Sequence, residues 1–356
     1  MIGVGRIASL HRLGYVDNPR AELYAICDAA PALLQRRSAE WEVDKTFEDY
    51  RRLLDDPHVD AVEVITPHHL HAELTIAALE AGKHVSVQKP MALNLADAGA
   101  MVRAGERSGK LLRVMENYRY YGPFVRAKEL IDAGDIGEPL SIRLKSLTGN
   151  MSHGWEVPES AQAWRSDASR SGDGSIVFDH GQHIWSLTRY FMGDVERVFA
   201  YFGRTEVVRH IELLPGATLD SPAMITWKYA GADRYGSWET LDSQELLIRS
   251  KYYPLTVGLE ITGSHGVLWV NHAIGQMLDR APVEVYRDGV VRSFSDVETD
   301  YSTSFINGVR DFVDAVHEGR ESGLTAAEGM EVLRLSLAVV RSGREGREVS
   351  LDEVVE

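Results

Sequence analysis

The chain has 356 residues, of which 44% are hydrophobic and 26% charged, a composition ordinary for a globular protein with a substantial core. Its length is typical of two domains. The formal net charge is −15 and lysine and arginine are not clustered, which argues against the concentrated basic surface that nucleic-acid binding requires.

Cys27 is the only cysteine, so no disulfide forms within the chain and a reducing compartment is favoured. The sequence shows neither the pattern of a secretory signal nor an apolar run near the ~18 residues of a membrane helix. We therefore expect a cytoplasmic protein with no membrane partner.

The first third of the chain alternates short apolar segments with amphipathic ones. Strands are predicted at 21–28, 59–67, 83–90 and 110–117, and helices at 7–16, 30–41, 70–82 and 95–109. This alternation is typical of βαβ units with a parallel sheet. We expect a dinucleotide-binding α/β domain of the Rossmann type over residues 1–119.

The pattern changes after a further helix predicted at 122–134. Segments rich in β-branched and aromatic residues, separated by turn residues, predict antiparallel strands at 139–147, 197–203, 223–230, 235–241 and 266–270. Helices are predicted at 302–319 and 325–343. We expect residues 120–356 to form an α+β domain with a mostly antiparallel sheet.

Residues 3–8 form a G-x-G-x-x-A loop, in which Gly3, Gly5, Arg6 and Ile7 are candidate contacts of a dinucleotide. The next strand ends in Asp28, about 20 residues after the loop, where a carboxylate accepts hydrogen bonds from ribose hydroxyls. Because a carboxylate repels a 2′-phosphate, NAD is favoured over NADP. The alternative interpretation is a glycine turn followed by a solvated aspartate.

Only two residues precede this loop, although such loops normally follow a buried strand. In a doubly wound sheet that strand is central, and its absence would leave neighbouring strands with unpaired N–H and C=O groups. We expect the natural protein to begin upstream of Met1, with a strand of roughly five residues.

Two further segments carry candidate catalytic groups. Lys89 follows a predicted parallel strand at its carboxyl end, the edge where open α/β sheets bind ligands, although an exposed turn lysine would look the same. Asp179 and His183 are four residues apart and share a face if both are helical, so that the carboxylate could orient a proton-accepting imidazole. A capping aspartate with a packed histidine, or a weak metal site with His180, are the alternatives.

Residues 148–167 lack a clear periodicity and contain His153, Trp155, Trp164 and Arg165. Long irregular segments are often binding loops, and aromatic faces suit sugar rings or other flat apolar substrates. Tryptophans that only fix the loop in place would give the same pattern.

Taken together, GVGRIA, CD, ITPHHLHAELTIAALEAGKHVSVQKPMA, NYRYYGPFVRAKELIDAGDIGEP and DHGQH occur in an order that resembles the Gfo/Idh/MocA oxidoreductases. The resemblance extends over nearly the whole chain and is most specific over residues 64–92. It implies a Rossmann domain followed by a domain with a large, open, mostly antiparallel sheet, through which subunits pair as homodimers or homotetramers.

The resemblance also implies roles for individual residues. Lys89 corresponds to the lysine of the family's E-K-P motif, near nicotinamide and substrate, and Asp179 and His183 match D-x-G-x-H, whose histidine is the usual proton acceptor. Positions that line the cofactor are Thr66, Pro67, His71, Gln88, Lys89 and Asn117, and Tyr118 and Arg119 are expected beside the substrate. Two departures stand out, because Gln88 replaces the usual glutamate and Ser186 a frequent aspartate.

These observations predict an NAD-dependent oxidoreductase that transfers hydride between NAD and a secondary alcohol of a sugar, glycoside, inositol or cyclic diol. His183 would move the proton and Lys89 would polarise the oxygen. Two alternatives remain at this point. One is a keto-sugar lyase, hydratase or epimerase with recycled or no NAD and with a metal at His180 and His183, and the other is a non-catalytic nucleotide sensor.

Overall fold

The computed structural model describes residues 1–150, 155, 157–271 and 273–355. The chain forms two compact units, of which the first comprises Met1–Asn117 and Ser304–Leu333 and the second Tyr118–Thr303 and Arg334–Val355. The sequence-based boundary at residue 119 places the whole C-terminal part in the second domain, whereas 304–333 pack within the first unit.

The elements of the chain follow one another in this order. The α-helices are Ala8–Arg12 (α1), Pro31–Trp41 (α2), Tyr50–Leu54 (α3), His71–Glu80 (α4), Leu95–Ser108 (α5), Gly122–Asp132 (α6), Glu159–Arg165 (α7), Ala168–Ser171 (α8), Gly181–Met192 (α9), Tyr301–Glu318 (α10) and Ala326–Glu345 (α11). The strands are Ala25–Cys27 (β1), Lys45–Phe47 (β2), Ala61–Val64 (β3), His84–Gln88 (β4), Leu112–Met115 (β5), Pro139–Asn150 (β6), Val195–Phe202 (β7), Thr205–Glu206 (β8), Thr218–Leu219 (β9), Ala223–Tyr229 (β10), Tyr235–Leu247 (β11), Leu255–Gly263 (β12), Gly266–Val270 (β13), Val283–Arg287 (β14), Val290–Phe294 (β15), Leu324–Thr325 (β16) and Val349–Ser350 (β17). Short 3-10 helices cover His68–Leu70, Asn117–Tyr120 and Leu351–Glu353, and Ser175–His180 is π-helical.

The first unit contains a parallel sheet in which β3, β4 and β5 are neighbours and β1 pairs with β2. Ile2 lies between β1 and β3, with parallel bridges to Cys27 and Val64. Its N–H donates to the carbonyl of Glu63 and its carbonyl accepts from the N–H of Ile65, both at 2.8 Å. The first residues of the chain therefore occupy the central strand position and pair the neighbouring strands there.

Arg113 on β5 is fully buried in the first unit. Its guanidinium donates to the Ser86 hydroxyl at 3.0 Å, to the Gly308 carbonyl at 2.7 Å and to the Ser322 hydroxyl at 3.2 Å. Two of these partners come from 304–333, and β16 also pairs with β5 in antiparallel orientation. These contacts explain why this late segment packs with the N-terminal sheet.

We expect Arg113→Met to lower the free energy of unfolding by about 1–3 kcal/mol for each buried partner of the guanidinium that it leaves unsatisfied. Arg113→Lys keeps the charge but not the forked donors, and should lose less. Chemical denaturation of both variants measures this, and equal stability of wild type and Arg113→Met would contradict it.

The second unit is built on a nine-stranded sheet with the order β15-β14-β13-β12-β6-β11-β10-β7-β17. Among these described strands, β6 and β11 pair in parallel and the other neighbours pair in antiparallel fashion. Alternate residues such as Ile225, Trp227 and Trp238 are buried, whereas Met224 and Tyr235 on the same strands are exposed. One face of the sheet therefore packs on the core, and the prediction of a mostly antiparallel sheet is confirmed.

Several predicted elements differ in extent from those observed. The helix predicted at 7–16 is α-helical only over Ala8–Arg12, and Gly14 after it packs so closely that a Cβ there would lie 2.4 Å from Cβ of Val309. The predicted elements do not include β2, α3, β14 and β15, which are only three to five residues long. They also omit β12, although Val257, Leu259 and Ile261 alternate there as buried residues of a strand. In the part of the chain that the structure describes, no helix is both long and apolar enough to span a membrane.

Candidate active site

The glycine loop begins where the chain leaves the central strand position. Gly3 has a φ of +88°, and a Cβ there would lie 2.3 Å from the Ile65 carbonyl oxygen, so only glycine fits. A Cβ on Gly5 would meet no atom within 4 Å. The first glycine is therefore needed for packing, and the second leaves the backbone open to a ligand. Ile7 packs against the hydrophobic core, and the Arg6 carbonyl accepts from Ser9 N–H.

Asp28 is held beside this loop by two backbone donors. Its Oδ2 accepts from Val4 N–H and its Oδ1 from Ala30 N–H, both at 2.9 Å. Each carboxylate oxygen has two lone pairs, so both can still accept a ribose hydroxyl. Arg37, which joins this network, donates to the Val4 carbonyl and pairs with Glu40. The Asp28 carboxylate fits NAD, whose free 2′-hydroxyl needs an acceptor, and the nearby charge of Arg37 is paired with Glu40.

His71 joins two other predicted cofactor segments. Its Nε2 lies 2.9 Å from the Thr66 carbonyl and its Nδ1 lies 2.7 Å from the Pro90 carbonyl, and the ring is fully buried. Pro67, next to Thr66, begins the turn that leads into α4. The Thr66 hydroxyl is buried and has no hydrogen-bond partner among the described residues. A buried polar atom of this kind fits a lining position of a ligand site.

Burial lowers the pKa of His71 from its ordinary value near 6.5 to about 4, although the two carbonyls favour the protonated ring. The folded state then binds fewer protons than the unfolded state. The contribution of His71 to the free energy of unfolding is therefore fully present above about pH 6.5 and is lost as the pH falls towards 4. This loss amounts to about 3 kcal/mol.

We therefore expect His71→Asn to be less stable than wild type at neutral pH, with a gap that narrows as the pH falls from 6.5 to 4. Denaturant unfolding of both proteins across this range measures the gap. A gap that widens in acid would contradict the expectation, because it would mean that a protonated His71 donates to both carbonyls in the folded state.

Lys89 directly follows β4, at the carboxyl end of that strand, as the sequence predicts. Its backbone N–H donates to Oε1 of Gln88 at 2.8 Å, and both residues are half-buried. Asn117 lies after β5, where its side-chain amide donates to the Ser304 hydroxyl at 3.0 Å and both groups are buried. The predicted cofactor residues Gly3, Gly5, Arg6, Ile7, Asp28, Thr66, Pro67, His71, Gln88, Lys89 and Asn117 all belong to the first unit.

His183 is the central candidate of the second unit. It lies on α9, is 8% exposed, and stacks on Tyr118 with ring centroids 4.3 Å apart and an interplanar angle of 14°. Asp179 precedes it on the π-helical segment and lies 4.0 Å from Nε of Arg165, which also pairs with Glu212 at 3.5 Å. The two residues are thus on consecutive helical segments and not on one regular α-helix, because the π-helical turn intervenes.

His180 is fixed by a chain of hydrogen bonds from the sheet. The indole N–H of Trp238 donates to the Ser146 hydroxyl at 3.0 Å, and this hydroxyl lies 3.2 Å from Nε2 of His180. The Ser146 hydroxyl has a proton and a second lone pair left, so its contact with Nε2 holds the His180 ring in place in either tautomer. The described residues contain no group of three or more His, Cys, Asp or Glu side chains that could hold a metal.

The remaining predicted substrate residues have well-defined neighbours. Arg119 donates to the hydroxyl of Ser186, the residue that departs from the family pattern, at 3.0 Å. Trp155 packs edge-on against Tyr252 at 5.1 Å, and Trp164 lies under the guanidinium of Arg165 at 4.3 Å. The segment predicted to be irregular includes α7, and His153 lies outside the described residues.

Sequence reasoning missed two buried polar residues of the first unit, His11 and Glu63. They are hydrogen-bonded to each other at 3.1 Å, and His11 also contacts Gln88. Glu63 was detectable, because it is the one charged residue in the run 61–65, and a carboxylate is unusual in a strand buried on both faces. His11 gave no comparable signal.

Comparisons with known proteins agree with this architecture. The profile described as "Oxidoreductase family, NAD-binding Rossmann fold" matches residues 1–116, and that described as "GFO/IDH/MocA C-terminal domain" matches 124–269. The myo-inositol 2-dehydrogenase of Thermotoga maritima is 28% identical over 100% of this chain and 98% of that enzyme. The scyllo-inositol 2-dehydrogenase (NAD(+)) of Bacillus subtilis is 25% identical over 99% of this chain and 95% of its own length.

A solved structure of levoglucosan dehydrogenase in complex with NADH and levoglucosan superposes with a TM-score of 0.78 at 26% identity, covering 98% of both chains. The chain belongs to the Gfo/Idh/MocA family of NAD-binding oxidoreductases. The predictions of family, fold class, oxidoreductase activity and NAD as cofactor are confirmed. The lyase and sensor alternatives are not favoured by these relatives.

Proposed function

We propose that this enzyme transfers hydride between NAD and a secondary alcohol of a sugar, glycoside, inositol or cyclic diol. The named activities of the relatives support this class, since they act on myo-inositol, scyllo-inositol, levoglucosan and D-apiose. These substrates are all polyhydroxylated, and most are rings. A polyhydroxylated ring with at least one secondary alcohol is therefore the substrate class that we propose.

The observation that carries the proposal is the fixed position of His183. Its ring is nearly buried and stacked on Tyr118, so the imidazole is presented in one orientation by a side chain that is itself 1% exposed. A proton acceptor must be held within hydrogen-bond reach of one hydroxyl, and such preorganisation supplies that geometry. The neighbouring pair of Asp179 and Arg165 adds fixed charges to the same unit.

In the proposed reaction His183 takes the proton of the substrate hydroxyl. Lys89 donates a hydrogen bond to the same oxygen and stabilises the negative charge that develops on it. Asp179 favours the protonated imidazole electrostatically. When bound, NAD supplies the acceptor for the hydride that leaves the carbinol carbon, so the alcohol is oxidised to a ketone.

The experiment is an assay of NADH formation by ultraviolet absorbance with purified protein, NAD and a panel of inositols, anhydrosugars and pentoses. We expect turnover with at least one of them, and weaker turnover with NADP because Asp28 repels its 2′-phosphate. Conversion of a panel compound without net NADH formation would favour epimerase or lyase chemistry and contradict the proposal.

We also propose that residues 1–119 bind the dinucleotide, that residues 120–356 hold the substrate, and that the open sheet face pairs subunits into a homodimer or homotetramer. Tyr201, Met224 and Tyr235 support the pairing, because they are exposed on this sheet by 67%, 43% and 54%. Light scattering should give a dimer or tetramer mass, and Tyr201→Glu combined with Met224→Glu should lower that mass.

A cytoplasmic location, supported by the single cysteine, completes the proposal.

A further inference from the structure

Three polar side chains of the first unit are linked by hydrogen bonds that end on the backbone of Lys89. Nδ1 of His11 lies 3.1 Å from Oε1 of Glu63, and Nε2 of His11 lies 2.9 Å from the amide nitrogen of Gln88. Oε1 of Gln88 accepts the N–H of Lys89 at 2.8 Å. The chain of contacts thus connects β3, α1 and the end of β4.

His11 and Glu63, the inner residues of this hydrogen-bonded series, are buried. His11 is 1% exposed and Glu63 is 3% exposed, and the His11 ring packs against Phe305 with centroids 5.3 Å apart. Burial opposes ionisation of Glu63, but the hydrogen bond from the His11 ring and the nearby positive charges of Arg113 and the N-terminal amine hold its pKa below the ordinary value. Tyr15 is the other titratable neighbour, and its pKa is raised by burial and by Glu63. A buried carboxylate of this kind is not stabilising by default, so an apolar residue at either position would be the simpler core.

The direction of each hydrogen bond follows from the Lys89 N–H, which can only donate. Gln88 must therefore present its oxygen to Lys89 and its NH₂ group to His11. Nε2 of His11 is then an acceptor without a proton, and the single ring proton lies on Nδ1, where it is donated to Glu63. The contacts define one neutral tautomer of a buried histidine.

We propose that Glu63, His11 and Gln88 are positioning residues that hold Lys89 in place for the reaction. This inference rests on the proposed role of Lys89. The side chain of Lys89 moves with its backbone, and Gln88 anchors that backbone only while His11 keeps the amide oriented. A small displacement of a polarising group lowers turnover strongly. An apolar residue at position 11 would pack α1 equally well, so packing alone does not explain a histidine there.

The same series of hydrogen bonds explains why position 88 holds a glutamine. A glutamate there would accept from Lys89 and would also need a donor at Nε2 of His11. His11 would then carry two protons between two buried carboxylates. With Gln88 the buried carboxylate is at Glu63 and His11 stays neutral, so the arrangement contains one such charge and each of its donors meets an acceptor.

The first test compares His11→Leu with His11→Gln. Leucine fills the space but offers Gln88 no acceptor, so kcat should fall about 10- to 100-fold while the KM for the alcohol changes little. Glutamine places an acceptor oxygen near the former Nε2 and should recover most of the loss. Similar thermal unfolding midpoints of the two variants show that both fold. Wild-type kcat in His11→Leu would overturn the proposal.

The second test reads the proton directly and does not depend on activity. Two-bond ¹H–¹⁵N correlation spectra of imidazole-labelled protein should show His11 as the Nδ1–H tautomer in wild type and in Glu63→Gln. The double variant Gln88→Glu with Glu63→Gln should show the opposite tautomer, Nε2–H. In that variant the carboxylate at position 88 accepts the proton of Nε2, and the amide at position 63 donates to Nδ1. The resonance is assigned by its loss in His11→Leu. An Nε2–H tautomer in wild type would overturn the proposal.

The outcomes separate this inference from the proposed function. If Lys89→Met abolishes turnover but His11→Leu does not lower it, the positioning role is wrong and the role of Lys89 stands. If Lys89→Met keeps wild-type turnover, the proposed function of Lys89 is wrong and the positioning role fails with it, whatever tautomer is observed.

Discussion

Replacement of His183 by alanine is expected to lower kcat by on the order of 10²–10⁴, because proton transfer by a positioned side chain contributes that much to such reactions. The acidic limb of the pH–rate profile should disappear in the same variant, since the titrating acceptor is gone. Steady-state kinetics with the best alcohol of the panel, measured across a range of pH, test both expectations.

Tyr118→Leu is the matched control for this substitution. It removes the ring on which His183 stacks, at 4.3 Å, but leaves the imidazole itself in place. We expect a smaller loss of kcat and a pH profile that keeps its acidic limb. NAD binding should be near normal in both variants, because both residues belong to the second unit. Near-normal turnover of a folded His183→Ala would contradict the assigned role.

Replacement of Lys89 by methionine is expected to lower kcat by on the order of 10²–10³, the loss typical of removing one donor to a developing oxyanion. Methionine keeps most of the length of the side chain, so packing around the end of β4 should be retained. Lys89→Arg keeps a positive charge with a different shape, and its kcat should lie between those of wild type and Lys89→Met. The KM for the alcohol should change less than kcat if the charge on the oxygen is stabilised mainly in the transition state.

Combining His183→Ala with Lys89→Met distinguishes joint from separate action. Residues that stabilise one transition state as a unit are strongly non-additive, so the double variant should lose much less than the product of the single losses. Fully multiplicative losses would indicate that the two groups serve different steps. Circular dichroism and NAD titration of all three variants control for folding and for cofactor binding.

Local signals in the sequence were sufficient to predict a large part of the fold and of the candidate site. Spacing alone places the glycines in a loop, Asp28 directly after β1 and Lys89 directly after β4, and the structure has them there, although spacing leaves their roles open. Alternation of strands and helices predicts the parallel sheet of the first unit, because each period reflects which side chains are buried. The family resemblance added the roles of His183 and Asp179, which spacing by itself left open.

Contacts between residues distant in the sequence were not predictable in this way. Periodicity gives no register between strands, and it could not show that Met1–Gly3 fill the central strand position or that 304–333 pack within the first unit. It also gave no sign that Arg165 pairs with Asp179. These pairings depend on which surfaces meet after the chain has folded.

The sequence by itself therefore determined the fold class, the cofactor loop and the residues Lys89 and His183 as candidates, because each is encoded in a short segment with its own steric or hydrogen-bonding requirement. Only the tertiary structure decided how those candidates are supported. Glu63 stands out in its apolar strand, but the sequence gave no sign that His11 lies between Glu63 and Gln88. Burial removes water from these side chains, so each of them needs a hydrogen-bond partner that only the folded chain supplies.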